Sequence, residues 1–312
     1  MNLQMIHAAR ARLQGHARRT PLLNAPLLDA IAGRRVFVKA ECLQWTGSFK
    51  FRGAWAAVSA LRGARGVIAF SSGNHAQGVA LAAARHGLPA VILMPEGSPA
   101  VKIANTRAYG GEVILYDRHS VDREVLGAEL AAERGLLLIK PYDDAEVIAG
   151  QGTIGLEIAE QFDGAAQVLT CCGGGGMTAG IALALEGRMQ VRTAEPAGFD
   201  DMARSLAAGA RLRNAQMSGS ICDAILTPMP GEITFPILQR LCGAGLVVSD
   251  DEALQAMALA FQHLRIVLEP GGAVALAAAL FRDDLPDTVI AIGSGGNVDT
   301  AVFADSLARF GG

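Results

Sequence analysis

The sequence predicts an α/β fold of two lobes, each built on a mostly parallel, open, twisted sheet flanked by helices. Two observations carry that expectation. Short β-rich runs alternate with helical patterns of ten or more residues along the whole chain, which is how βαβ units read. The 312 residues also include 37 glycines, well above the usual ~7%, and they gather where strand patterns give way to helix patterns.

The first segment, "MNLQMIHAARARLQG", reads as an amphipathic helix without a signal-peptide pattern. "RVFVKA" is a strand, followed by a helix over about 49–61 with Ser48 as its cap. "GVIAF" leads to a helix beginning near His75 and closed by Gly87. "AVILMP" leads to Ser98-Pro99, a cap with proline at the first helical position. "EVILY" precedes a helix over about 120–135, and "LLLIK" one over about 144–162. "QVLTCC", "QVRTAE", "LVVS" and "TVIAI" are further strands, and Ser249 with Glu252 forms a capping box. No linker, repeat or low-complexity stretch marks a boundary.

Composition narrows the function classes. The chain is 51% apolar and 18% charged, which suits a large core. A net charge of −3 with no basic run argues against nucleic acid or an anionic membrane as partner. The longest apolar run, "AVALAAALF" from Ala273, is too short to span a bilayer. Five cysteines without metal-ligand spacing read as buried small hydrophobes in a reducing cytosol.

In parallel sheets, ligands gather at the carboxyl ends of strands, and four loops there have unusual chemistry. "TCCGGGGMTAG" opens a helix after a strand. Four glycines let backbone N–H groups converge at a helix N-terminus, a natural seat for phosphate. Taken alone, Gly174-x-Gly176-x-x-Ala179, with Glu195 about 20 residues on, equally fits a dinucleotide fingerprint. "FSSGNHAQG" offers a second cradle, sized for a carboxylate, from Ser71, Ser72, Asn74 and the N–H groups from Gly73 on. By itself His75 reads as a packed helix-start residue. "AIGSGGNVD" presents Ser294 at a strand end, either as a turn serine or as a hydroxyl for a ring nitrogen.

The fourth loop, "WTGSFKFRGA", holds Lys50 between two phenylalanines at the start of a helix. The helix dipole and the loss of water both disfavour an ammonium there, so its pKa falls and the amine becomes nucleophilic. Those are the conditions of a Schiff-base lysine.

Together, "TGSFKFRGA", "SSGNHAQG", "GGGGMTAG" and "GSGGN", in this order, resemble the fold-type II pyridoxal-phosphate enzymes (tryptophan synthase β-like), in particular the serine/threonine dehydratase and serine racemase group. The resemblance covers nearly the whole chain and displaces the dinucleotide reading. It implies a large cofactor-binding domain of residues 1–62 and 143–312, a small domain of 63–142, and a cytosolic homodimer. It implies that Lys50 carries pyridoxal 5'-phosphate as an imine and that Phe49 lies against the pyridine ring. Asn74 meets the ring hydroxyl, and Gly173, Gly174, Gly175, Gly176 and Met177 take the phosphate. Ser294 meets the ring nitrogen. Ser71, Ser72, Gly73, Asn74 and His75 hold the substrate carboxylate. A hydroxyl at the ring nitrogen, in place of an acid, favours elimination over transamination.

The activity so implied is β-elimination from a β-hydroxy amino acid, L-threonine and/or L-serine, to a 2-oxo acid and ammonia. Serine racemase, 3-hydroxyaspartate dehydratase and phenylserine dehydratase are alternatives on the same scaffold, and a non-catalytic phosphate-ligand module is the alternative outside the enzymes. Ser72 matches the racemase serine that protonates the opposite face. "TAEPAGFDD" resembles a racemase-type site for Mg²⁺ or Ca²⁺ made by Glu195, the Phe199 carbonyl and Asp201. Two departures from the family pattern bear on the pocket: Trp45, read as part of an aromatic rim, and "CDA" at 222–224, read as part of the floor. Arg123 is a candidate for a distal substrate carboxylate, against its reading as a solvated helix residue.

Overall fold

The computed structural model describes every residue except Ser72, Pro99, Arg118, His119, Met217 and Gly312. In chain order it runs α1 (Leu3–Leu13), β1 (Leu22–Asn24), α2 (Pro26–Ala32), β2 (Arg35–Lys39) and α3 (Lys50–Ala60). There follow β3 (Val67–Phe70), α4 (Asn74–Arg85), β4 (Ala90–Pro95), α5 (Ala100–Ala108), β5 (Gly111–Tyr116), α6 (Arg123–Arg134) and β6 (Leu137–Leu138). The remainder is α7 (Ala145–Gln161), β7 (Gln167–Cys171), α8 (Gly176–Ala184), β8 (Gln190–Pro196), α9 (Asp201–Ala208), α10 (Thr234–Leu241), β9 (Leu246–Val248), α11 (Asp250–Leu259), α12 (Pro270–Phe281), β10 (Thr288–Ile292) and α13 (Thr300–Phe310).

The strands form two sheets. One has the order β1-β2-β10-β7-β8-β9 and is parallel except for the β1–β2 pair. The other, β5-β4-β3-β6, is parallel throughout. The central strands are apolar without alternation because helices cover both faces: every residue of β7 is buried, as are the first three of β3 and the first five of β4. The run "AVALAAALF" lies in α12, whose residues are all buried but Phe281, enclosed between the large sheet and α11. No described helix is long and apolar enough to cross a membrane.

Most predicted boundaries stand within a residue or two. Asp144 caps α7 through Glu146 and Val147 N–H, and Ser249 and Glu252 form the reciprocal capping box of α11. Pro99, expected at the first position of α5, lies outside the described residues. The predicted strand at "LLLIK" shortens to two residues paired only with β3. The five cysteines are free, four of them buried.

A buried ion cluster fixes α3, which no sequence pattern announced. Arg52 grips Glu41 with two hydrogen bonds of 2.8 Å and Glu157 with bonds of 2.7 and 3.0 Å. Lys39 also pairs with Glu157 and donates to the Thr20 carbonyl at 2.8 Å. Two cations and two carboxylates thus close on one another at the junction of β2, α3 and α7, with Arg52 only 1% exposed.

Candidate active site

The site is built where the loop before α3 meets the loop after β10. Thr46 and Gly47 both take left-handed backbone (φ 60 and 72), which turns the chain sharply. Ser48 then runs extended and bridges Gly295, and Phe49 N–H donates to the Ser294 carbonyl at 3.1 Å. Ser48 therefore does not cap α3, as its sequence position suggested. Its backbone is committed to the 294–295 loop, its Oγ is buried without a partner among the described residues, and Phe49 occupies the cap position with no side-chain bond.

This arrangement brings Lys50, the first residue of α3, into a cleft with Phe49, Asn74, Tyr142, Gly173, Gly174, Gly175, Gly176, Met177 and Ser294. Four motifs far apart in the chain thus border one space. Lys50 Nζ donates to the Pro141 carbonyl at 2.8 Å and stands 5.2 Å from the Phe49 ring centre. Burial pulls its pKa down to about 8, against the opposing pull of Glu269. At a lysine's ordinary value the free amine is scarce at neutral pH; with a pKa of about 8 it rises to roughly a tenth of the population.

The glycine loop is more tightly enclosed than the sequence alone implied. Gly175 has φ 93, and a Cβ on Gly174 or Gly176 would fall within 2.8 Å of Tyr142. The Gly174 carbonyl accepts from Thr234 Oγ1 at 2.6 Å, and Gly176, Met177 and Thr178, whose amides have no partner within the helix, line the cleft at the start of α8. Thr227 lines the same cleft, and its hydroxyl is buried without a described partner.

Asn74 begins α4, its amide held between Glu269 and Asn297. His75 is 3% exposed, its Nε2 on the Ile139 carbonyl at 2.8 Å. Burial, with Lys50 adding, lowers it to about 3, so it is a neutral packed ring. Ser71 Oγ accepts from Gly73 N–H at 3.2 Å, which stiffens that loop. Ser72 lies outside the described residues.

Several residues of the site gave no sequence signal: Glu269, Tyr142, Thr227 and Pro141. Glu269 is 3% exposed in the cleft, and burial raises its carboxyl to about 7. Burial also raises the Tyr142 phenol, and Arg123, exposed and paired with Glu124 at 3.3 Å, is one of the charges that oppose the rise. A buried acid just before a helix proline, as in "LEPGGA", is the one pattern that could have flagged Glu269. Trp45 is no part of the rim. Its ring lies between the guanidiniums of Arg18 and Arg85, 3.9 and 4.4 Å from the ring centre. From the "CDA" turn, Ala224 does line the cleft, while Asp223 pairs with Lys102 of α5 at 3.0 Å.

Near the end of β8, the two oxygens of Glu195 accept from Met202 and Ala203 N–H at the start of α9, at 2.8 and 2.7 Å. Asp201 Oδ1 accepts from Asn214 at 2.6 Å, while its Oδ2 is buried without a described partner. No cluster of three or more His, Cys, Asp or Glu spaced to hold a metal occurs among the described residues.

The family model of pyridoxal-phosphate dependent enzymes matches residues 13–295. The chain belongs to that family. An L-threo-3-hydroxyaspartate ammonia-lyase of a Pseudomonas species is 43% identical over 96% of both chains. Among solved structures, a threonine deaminase from the organism abbreviated T.th. superposes with a TM-score of 0.90 at 45% identity, over 96% of this chain and 99% of that one. Maize serine racemase superposes at 0.92 with 35% identity, over 99% and 97%.

Membership makes pyridoxal phosphate the cofactor and is consistent with an amino-acid substrate, and the residues present fit the cofactor. A phosphate would find donors in the first-turn amides of α8 and in the orphaned Thr227 hydroxyl. An aldehyde would find the Lys50 amine, and a pyridine nitrogen would find a buried hydroxyl at Ser294. Each of these groups lines the one cleft.

Proposed function

We propose that this enzyme eliminates water from a β-hydroxy amino acid, L-threonine and/or L-serine, and releases a 2-oxo acid and ammonia. One observation carries the reading: an amine with a lowered pKa, Lys50 Nζ, shares its cleft with an anion-binding helix start and with Ser294 in place of an acid. Pyridoxal phosphate, when bound, supplies the aldehyde that takes the substrate amine and the ring that draws electrons from Cα. Lys50 takes the proton from Cα as general base. The amides of Gly174 to Met177 and the Thr227 hydroxyl hold the phosphate, and Phe49 packs beside the ring. The loop of Ser71, Ser72, Gly73, Asn74 and His75 receives the substrate carboxylate. A serine hydroxyl cannot keep a pyridine nitrogen protonated, so charge is best released at once through loss of the β-hydroxyl, and this favours elimination.

A second reading has a specific observation in its favour. Arg123, at the start of α6, is one of the cations acting on Tyr142 at the rim, and its charge would favour a substrate that carries a second carboxylate on Cβ. The relative at 43% identity is named for such a substrate, 3-hydroxyaspartate.

The reading extends to a homodimer and to a small lobe of residues 63–142 that carries the carboxylate loop, for which the separate four-stranded sheet is support. It also extends to Mg²⁺ or Ca²⁺ at Glu195, the Phe199 carbonyl and Asp201, for which the orphaned Asp201 Oδ2 is support.

The test is a panel of serine, threonine, 3-hydroxyaspartate and phenylserine in each configuration, assayed for 2-oxo acid, with borohydride reduction and peptide mapping of the cofactor label. Label on Lys50, with 2-oxo acid from serine or threonine, is the expected result. Preference for 3-hydroxyaspartate selects the second reading. A label elsewhere overturns both.

A further inference from the structure

Glu269 precedes Pro270 at the start of α12 and puts its carboxylate between the reaction cleft and a neighbouring cavity of about 300 Å³. Its Oε1 accepts from Asn74 Nδ2 at 2.6 Å. The other end of that amide, Asn74 Oδ1, accepts from Asn297 Nδ2 at 2.7 Å. Asn297 Nδ2 spends its second hydrogen on the Thr46 carbonyl, also at 2.7 Å. Room for the carboxylate exists because residue 295 is glycine: a Cβ there would lie 2.1 Å from Glu269 Oε1.

The chain Glu269–Asn74–Asn297–Thr46 has an acceptor-only group at each end, a carboxylate and a backbone carbonyl. Both ends therefore demand the same orientation of the Asn74 amide, with its nitrogen toward Glu269 and its second N–H left for the cleft. Flipping the amide would set oxygen against carboxylate and N–H against N–H. A buried carboxylate whose hydrogen-bond partner is a neutral amide is an expensive way to fill space. A glutamine would satisfy the amide at lower cost, but it can donate as well as accept and so would not forbid the flip. The charged groups facing Glu269 are Lys50 of α3, Lys102 of α5 and Asp223 of the turn Asp223–Ile225. The thiols of Cys42 and Cys171 are raised mainly by burial, and Glu269 adds to the rise.

We propose that Glu269 is a positioning residue: through Asn74 it fixes the one amide orientation that offers an N–H to the cofactor ring beside Lys50. The inference rests on the pyridoxal-phosphate reading of the cleft. It has a consequence for pH. Burial raises the carboxyl to about 7, and once protonated it can donate, so the lock is complete above that pH and loosens as pH falls through it.

The experiment compares wild type with Glu269→Gln, Glu269→Ala, Asn74→Ala and the double variant Asn74→Ala/Glu269→Ala. The readouts are the dissociation constant for pyridoxal phosphate added to the apoenzyme, kcat and KM on the substrate that wild type turns over, and kcat against pH. Glu269→Ala is expected to lower kcat about 10- to 100-fold with little change in KM and to weaken cofactor binding. The double variant is expected to match Asn74→Ala alone, and Glu269→Gln to recover part of the loss while erasing the acid limb near pH 7. Multiplying losses in the double variant, or Glu269→Ala with wild-type cofactor affinity and kcat, overturns the proposal. Should Glu269→Ala not fold, an acid limb that persists in Glu269→Gln does the same. Failure of wild type to bind the cofactor is a different result, since it removes the parent reading as well.

Discussion

Lys50 Nζ donates a 2.8 Å hydrogen bond to the backbone carbonyl of Pro141, ninety-one positions along the chain. Pro141 directly precedes Tyr142, whose ring covers the glycine loop, so the Lys50 amine and the cover of that loop are tied through one carbonyl. The bond holds the amine ready without neutralising it, because a carbonyl accepts from either protonation state. Glu269, at the other side of Lys50, is the charge that opposes its loss of a proton.

Lys50 should cost the apoenzyme stability at neutral pH. Its folded pKa, about 8, lies below the ordinary 10.5, so between those values the unfolded chain binds the proton more tightly and stability rises with pH. Below pH 8 both states are charged and the full burial cost is present. Lys50→Met is expected to stabilise the apoenzyme at pH 7 by at most ~3 kcal/mol, with the gain shrinking as pH climbs toward 10. Chemical denaturation of both proteins across that range measures it; a gain that does not depend on pH would contradict the assigned burial of charge.

Thr227→Val removes a hydroxyl and keeps the shape. The hydroxyl has no described protein partner, so the apoenzyme should unfold at nearly the same denaturant concentration. Cofactor affinity should fall about tenfold, as for one lost hydrogen bond to a charged group. Titration of the apoenzyme with pyridoxal phosphate reads this, and unchanged affinity would remove Thr227 from the phosphate seat.

Arg52→Leu leaves Glu41, which is fully buried, without its guanidinium partner and with only the Thr20 hydroxyl bonded to it. A loss of about 3–5 kcal/mol in stability is expected, visible as a lower unfolding midpoint. Restoring part of it with Glu41→Gln in the same chain would show that the cost is the stranded charge and not the lost packing.

A chelator should lower the melting temperature of wild type and leave Asp201→Ala unmoved if a divalent cation sits at Glu195 and Asp201. The orphaned Asp201 Oδ2 is the atom such an ion would take up. Equal melting curves with and without chelator would return both carboxylates to a purely structural role at the start of α9.

Local chemistry made much of this molecule readable from its sequence. Alternating strand and helix periodicity gave the two parallel sheets, because each element's apolar pattern depends only on near neighbours. The four loop motifs carried the cofactor because a lysine between phenylalanines and a run of glycines are unusual wherever they occur. What required the tertiary structure was the company these residues keep. Ser48 looked like a cap and is instead committed by its backbone to the 294–295 loop. Trp45 looked like a rim residue and is held between two arginines from α4 and the segment before β1. Glu269, Tyr142 and Thr227 border the site through contacts made across dozens to hundreds of positions, and periodicity has no record of such contacts. Side-chain burial, and with it the pKa of Lys50 and of Glu269, is a property of the packed interior, so it was decided only when the two sheets and their loops came together.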